Sequence, residues 1–176
     1  MQRNELPPQP VFSTEDVVRF YRDLGFFKGG SLSECADRLL KQYEQDHGEP
    51  LDPQQVWDDV FLLSYDTENV WADDPECDVC SDNEVYLDVL PEWSRISKGI
   101  FDVEDVEEAW QDEEGPITLT FRWKGKQRTI HPSWLNDYLD LSILGEINKL
   151  IASTGKQFVC ASDVNFAIVF LLDTEG

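Results

Sequence analysis

The chain has 176 residues and a formal net charge of −22, from 36 acidic and 14 basic side chains. This charge argues against direct binding to nucleic acid or to an anionic membrane, because both contacts require cations on the protein. A hydrophobic share of 41% and an aromatic share of 12% favour a folded core over disorder. The chain shows neither the apolar stretch of a signal peptide nor a membrane span, so we expect a cytoplasmic protein with reduced thiols.

The first part of the chain has helical periodicity. Residues 1–12 are expected to form a flexible arm, and Ser13 begins a helix whose first turn carries two acids, which the helix dipole favours there. A second helix is expected to begin at Ser33 and to end near Gly48. Pro53 is suited to the first turn of a third helix, which ends near Leu63.

The next part is more acidic and less regular. Residues 66–82 lack periodicity and are expected to form a long loop, a feature that is often functional. The spacing predicts a helix over 84–97, kinked or restarted at Pro91, and a short helix over 102–110. The polar break at 112–116 is the expected boundary between an acidic helical region, 13–115, and the rest of the chain.

The periodicity changes after this break. The sequence predicts an α+β fold in which a helical N-terminal two thirds packs against a C-terminal ββαββ unit with an antiparallel sheet, all in one compact domain. The predicted elements of this unit, which spans 116–176, are a hairpin over 117–131, a helix over 133–152, and strands over 157–161 and 165–172.

Negative charge is concentrated in one third of the chain. Residues 51–115 hold twenty-one acids and two bases, and residues 42–94 hold no lysine or arginine. A field of one sign repels itself, so a folded protein that keeps it is expected to have a basic partner. The alternative is a solvated face. The predicted partner-binding residues are Trp71 as an aromatic anchor and the carboxylates Asp58, Asp59, Asp66, Glu68, Asp73, Asp74, Glu76, Asp78, Asp82 and Glu84.

Metal sites and catalytic motifs are weakly represented. Cys77 and Cys80 form a CxxC, but a structural zinc site needs four ligands and the chain has no second pair. A calcium loop that began at Asp74 would need glycine and glutamate where Val79 and Val85 stand. Common catalytic motifs are missing. We therefore predict a non-enzymatic protein without a metal or cofactor.

The C-terminal block resembles bacterial immunity proteins of polymorphic, contact-dependent or type VI secreted toxin systems. The similarity lies in the pattern of Ile117–Lys126, Ile130–Pro132, Leu141–Ala152, Gln157–Cys160 and Phe166–Leu172, about sixty residues in all. It implies a cytoplasmic inhibitor that binds a cognate basic toxin domain, and the acidity suggests that it blocks a nuclease-like cleft. Two alternatives are a DNA mimic that inhibits nucleic-acid-binding proteins and a metal-binding interaction module. The oligomeric state is left open.

Overall fold

The computed structural model of the protein describes residues 12–51 and 60–174. Contacts divide the chain into two compact units, Met1–Asp66 and Thr67–Gly176. Nearly all of the predicted arm, and most of the predicted third helix with Asp58 and Asp59, lie outside the described residues.

The first unit is built on two packed helices, α1 (Thr14–Asp23) and α2 (Leu32–His47). Each begins with a capping box, in which a serine and the carboxylate three residues later bind each other's backbone N–H. The cap of α1 is Ser13, as predicted, whereas the cap of α2 is Ser31 and not Ser33. The core of this unit includes the buried side chains of Val18, Phe26, Cys35, Leu39 and Tyr43.

The second unit contains two antiparallel three-stranded sheets, ordered β1-β6-β5 and β2-β3-β4. Helix α3 packs against β1, β2 and β6, and helix α4 packs against β5. The elements are β1 (Val70–Asp73), α3 (Val85–Ile96), β2 (Val103–Trp110), β3 (Ile117–Trp123), β4 (Lys126–Ile130), α4 (Ile143–Ile151), β5 (Lys156–Ser162) and β6 (Ala167–Asp173).

The core of the second unit is aromatic. Tyr86, Trp93, Phe101 and Phe121 are almost completely buried. Trp71 packs edge-to-face on Trp93, with ring centroids 5.8 Å apart. Pairs of this geometry add stability beyond the apolar area they bury, so α3 and β1 are firmly joined.

The chain is α+β, as predicted, but the predicted arrangement is wrong. The N-terminal two thirds is not a helical region, because β1 and β2 both lie before residue 116. The predicted hairpin and the two final strands are present, yet they belong to different sheets. Strand β1 completes one sheet and β2 completes the other, and the break at 112–116 is the connection from β2 to β3.

The short helix predicted over 102–110 is instead strand β2, and a bulge explains why its sequence resembles that of a helix. The strand register shifts between Glu104 and Glu107, and Asp105 has a φ of 50°. An extra residue at a bulge moves the following side chains to the opposite face of the strand. The partly buried Val103 and Val106 are therefore three residues apart, which is also the spacing of a helix face.

The predicted helix over 133–152 is shortened for a different reason. Asp140 is 4% exposed, and its carboxylate accepts hydrogen bonds from the backbone N–H groups of Ser133 (2.7 Å) and Ser142 (3.0 Å). These bonds hold residues 133–142 in an irregular loop, and α4 begins only at Ile143. A side chain that satisfies local backbone groups competes with the helix in this way.

Candidate functional site

A run of exposed carboxylates joins β1 to α3. We call residues 73–84 the acidic segment, which begins at the last residue of β1 and ends just before α3. All six of its carboxylates are exposed and were predicted to bind a partner: Asp73, Asp74, Glu76, Asp78, Asp82 and Glu84.

The acidic segment is held in place by residues 137–139. The backbone N–H of Leu139 donates to the carbonyl of Pro75, and the N–H of Cys77 donates to the carbonyl of Asp137, both at 2.9 Å. The Tyr138 hydroxyl also donates to a carboxylate oxygen of Glu76 at 3.0 Å. The first half of the segment is therefore an ordered part of the fold and not a free loop.

Its second half is fixed by two further features. The side-chain amide of Asn83 donates to the carbonyl oxygens of Cys77 at 3.1 Å and Asp78 at 2.9 Å. Val79 is 2% exposed and belongs to the core of the second unit. Because one buried side chain and a bridging amide fix the backbone, the carboxylates are displayed in a defined arrangement.

The six carboxylates differ from other acids of the second unit in their surroundings. Among the described residues, none of the six forms an ion pair within 4.0 Å. The ion pairs in the described part of the second unit lie elsewhere. They join Arg95 to Glu92, Arg122 to both Glu104 and Asp105, Lys149 to Glu146, and Lys156 to Asp173. The negative charge of the acidic segment is left for solvent or for a partner.

An apolar groove of about 640 Å³ lies beside the acidic segment. Its walls are the first turn of the segment, the loop over 133–142 and the connection between β5 and β6. We call it the groove, and its lining residues are Pro75, Leu135, Tyr138, Leu139, Leu141, Ser162, Asp163 and Val164. Leu135 is 45% exposed and Val164 is 64% exposed, so apolar surface is left in water here.

Tyr138 connects the groove to the acidic segment. Its hydrogen bond to Glu76 is the main cause that raises the pKa of the Tyr138 hydroxyl above its ordinary value. Burial adds to this rise, and so do the negative charges of Glu76, Asp74 and Asp137. Three carboxylates therefore act on one side chain at the rim of the groove.

Three other residues that were predicted to bind a partner, Asp66, Glu68 and Trp71, lie in β1 or shortly before it. Asp66 is 8% exposed, and its carboxylate accepts the backbone N–H of Phe27 at 2.7 Å. Trp71 is 7% exposed and packs against Trp93, so its aromatic ring belongs to the core. Asp66 and Trp71 thus have structural roles, whereas Glu68 is exposed. Sequence composition could not separate these cases, because an aromatic ring among acids fits both a core and an interface.

Local sequence patterns did not predict the residues that surround the groove outside the acidic segment. Asp137 and Asp163 are exposed carboxylates, and Leu135 and Val164 are exposed apolar side chains. Leu135 and Asp137 fall within the predicted helix over 133–152. Asp163 and Val164 fall between the two predicted final strands. The one signal that could have drawn attention to them is an acid beside an apolar residue in each connection.

The Cys77 thiol of the CxxC is not an activated nucleophile. Burial is the largest cause that raises the pKa of Cys77 to about 11, and the charges of Asp73 and Asp74 raise it further. A thiol with this pKa is protonated near neutral pH. Within the part of the chain that the structure describes, all four cysteines are free, and no three potential ligands are grouped to hold a metal ion.

Comparison of the chain with protein-family models, with curated proteins and with solved structures found no match. Helices long and apolar enough to cross a membrane are missing from residues 12–51 and 60–174.

Proposed function

We propose that the protein is an immunity protein: a non-enzymatic inhibitor that binds a cognate toxin domain in the cytoplasm. The acidic segment would cover a basic, nuclease-like cleft of that toxin. The observation that carries this proposal is the set of six exposed carboxylates, held by the fold and without an ion-pair partner among the described residues.

The unpaired carboxylates of the acidic segment are unfavourable for the isolated fold. Like charges repel one another, and a fold gains nothing from keeping them close unless a cation arrives. When a basic protein approaches, the same field accelerates its encounter by roughly 10- to 1,000-fold, depending on ionic strength. An ordered segment also loses little conformational entropy on binding.

The pattern resemblance of the C-terminal block to immunity proteins of secreted toxin systems supports the same proposal. The described elements of that block are a hairpin, a helix and two strands. Its strands are shared between two sheets, and the acidic segment is attached to both through β1 and α3.

The polypeptide encoded directly upstream is the natural candidate for the toxin. Expressed alone in bacteria it should arrest growth, and co-expression with this protein should restore growth. The two purified proteins should form a complex at equal molar amounts. If growth stays arrested and the purified proteins do not bind, the proposal is wrong.

A second binding experiment separates this proposal from the DNA-mimic alternative. The purified protein should bind its cognate toxin far more tightly than unrelated basic proteins such as histones or lysozyme. Similar affinity for all of them would favour a DNA mimic, which matches the general charge of its targets and not one surface.

A further inference from the structure

The groove has the composition of a pocket for an apolar side chain. Its lining is mostly aliphatic or aromatic, and its volume of about 640 Å³ lies within the range usual for ligand pockets. Leu135 and Val164 are among the large apolar side chains that stay exposed in the described residues. Apolar surface beside polar groups is the usual composition of an interaction site.

The rim of the groove carries one sign of charge. Asp163 is part of the lining, Glu76 is hydrogen-bonded to Tyr138, and Asp137 precedes Tyr138 in the chain. The residues that line the groove include no lysine or arginine. An occupant must therefore place apolar atoms in the groove and cations around it.

The rim also holds its carboxylates in place. The Asp163 carboxylate accepts the backbone N–H of Asn165 at 2.9 Å, and the backbone N–H of Asp163 donates to the carbonyl of Phe166 at 2.9 Å. Glu76 is fixed through Tyr138 at 3.0 Å. Hydrogen bonds therefore fix these two carboxylates at the rim before a partner binds.

We propose that the groove is the anchor pocket for the basic partner and takes one large apolar side chain, such as tryptophan, that is flanked by lysine or arginine. This inference rests on the proposed function, since the same partner would supply both features. Buried aromatic anchors carry much of the binding free energy of many interfaces, whereas exposed charges mainly set association rates.

A second copy of this chain is the competing occupant. Two copies placed groove to groove would bring two acidic rims together without a cation between them. Like charges opposed across an interface repel one another, and this repulsion offsets the gain from burying a few exposed apolar side chains. Charge complementarity therefore favours a basic partner.

Short synthetic peptides test the proposal without knowledge of the partner. Acetylated and amidated Lys-Lys-Trp-Lys-Lys would be titrated into the isotope-labelled full-length protein at low ionic strength and followed by NMR. We expect shifts centred on Leu135, Tyr138, Asp163 and Val164. The matched peptide with alanine in place of tryptophan should bind at least about 10-fold more weakly.

Variants of the protein provide the complementary measurement. Leu135→Ser combined with Val164→Ser removes exposed apolar groups, so the fold should be kept while affinity for the tryptophan peptide falls by about 10-fold. The matched control is Phe20→Ser, which changes a side chain that is 60% exposed in the first unit and should leave peptide binding unchanged.

The possible results distinguish this proposal from the proposed function. Equal binding of the tryptophan and alanine peptides would overturn the anchor pocket while leaving the electrostatic function standing. Absence of binding by both basic peptides would also overturn the anchor pocket, whereas the proposed function is tested separately by the growth and binding experiments with the toxin. Shifts at Leu135 and Val164 that depend on protein concentration without peptide, and that disappear in the double variant, would assign the groove to a second copy instead.

Discussion

The acidic segment and strand β2 are similarly acidic in sequence, but their charges have different surroundings. In β2, Glu104 and Asp105 pair with Arg122 of the neighbouring strand. Glu108 accepts the backbone N–H of Tyr86 at 3.0 Å and the indole N–H of Trp110 at 2.7 Å. The exposed carboxylates of the acidic segment have no such cation among the described residues.

The difference shows what decides whether acidic residues are available to a partner. Strand β3 brings a base to β2, whereas the acidic segment is paired with residues 137–139, which carry an acid and no base. Ion pairs and hydrogen bonds within the fold compensate the charges of β2, whereas charges left unpaired create a field outside the fold. Four measurements test this contrast.

The largest expected effect is on the anchoring of the acidic segment. Val79→Ala removes buried methyl groups and should lower the free energy of unfolding by about 2 kcal/mol, from lost transfer energy and a cavity. Hydrogen exchange should become faster across residues 74–84. Denaturant unfolding and amide exchange measure the two effects.

Val106→Ala in β2 is the matched control for that substitution. Val106 is only partly buried against the core, so the expected loss is smaller, and exchange in the acidic segment should stay unchanged. An equal loss from both substitutions, with no local change in exchange, would show that Val79 does not fix the segment.

The pH dependence of the free energy of unfolding should show the effect of burial on the pKa of Glu108. Burial is the largest cause that raises the pKa of Glu108, against the opposing hydrogen bonds from Trp110 and Tyr86. Because the folded state binds the proton more tightly, this group stabilises the fold at low pH. Its contribution is lost as pH rises from about 4.3 through the raised value.

Glu108→Gln removes this titration. The free energy of unfolding of the wild type minus that of the variant should therefore decrease as the pH rises from about 4 to about 7. A denaturant series at several pH values checks this.

Asp16 gives the opposite case, because the Ser13 hydroxyl is the main cause that lowers its pKa to about 2. The matching difference for Asp16→Asn should decrease as the pH falls from about 3.8 towards about 2. A difference for Glu108→Gln that does not change with pH would contradict the raised pKa of Glu108.

The smallest expected effect is on the Tyr138 hydroxyl, which reports the local field. Glu76→Gln should lower the pKa of Tyr138 towards its ordinary value, because it removes the charged hydrogen-bond acceptor. Asp74→Asn should lower it less. Ring carbon signals in an NMR titration measure these shifts, and Glu104→Gln, in the paired strand, should leave the pKa unchanged. A comparable shift from Glu104→Gln would mean that the field is not local.

Local sequence patterns predicted α1, most of α3 and the β3–β4 hairpin, because each depends on its own periodicity and capping residues. They could not predict β1. This strand has four residues, and its hydrogen-bonding partner β6 follows nearly a hundred residues later. Its pairing is a tertiary effect that overrides the local signal.

The residues of the candidate site also include some that the sequence could predict and others that depend on tertiary contacts. The exposed acids from Asp73 to Glu84 could be predicted from composition, since charge is rarely buried. The burial of Trp71 could not, because it depends on contact with Trp93 in another element. The groove brings together residue 75, residues 135–141 and residues 162–164, and no local pattern connects those segments.

Two isosteric variants test whether the unpaired carboxylates of the acidic segment accelerate association with a basic partner. The acidic-segment variant carries Asp73→Asn, Asp74→Asn and Glu76→Gln. It removes three charges and keeps oxygen acceptors, including the one on residue 74 that binds the Glu76 backbone N–H. Its matched control must remove the same amount of charge from the paired region.

The β2 variant supplies that control through Glu104→Gln, Asp105→Asn and Glu107→Gln. Two of these carboxylates lie beside Arg122 and none lies in the acidic segment, so their removal changes the field at a different part of the surface. Both variants have the same net charge, and any difference between them reports the position of the charge and not its amount.

The most direct test is the rate at which each protein associates with the basic toxin domain proposed as its partner, measured by stopped-flow fluorescence over a range of ionic strengths. The account predicts that the acidic-segment variant associates about 10-fold more slowly at low salt and with a flatter salt dependence, while the β2 variant stays close to the wild type. Equal slowing by both variants, or none by either, would contradict it.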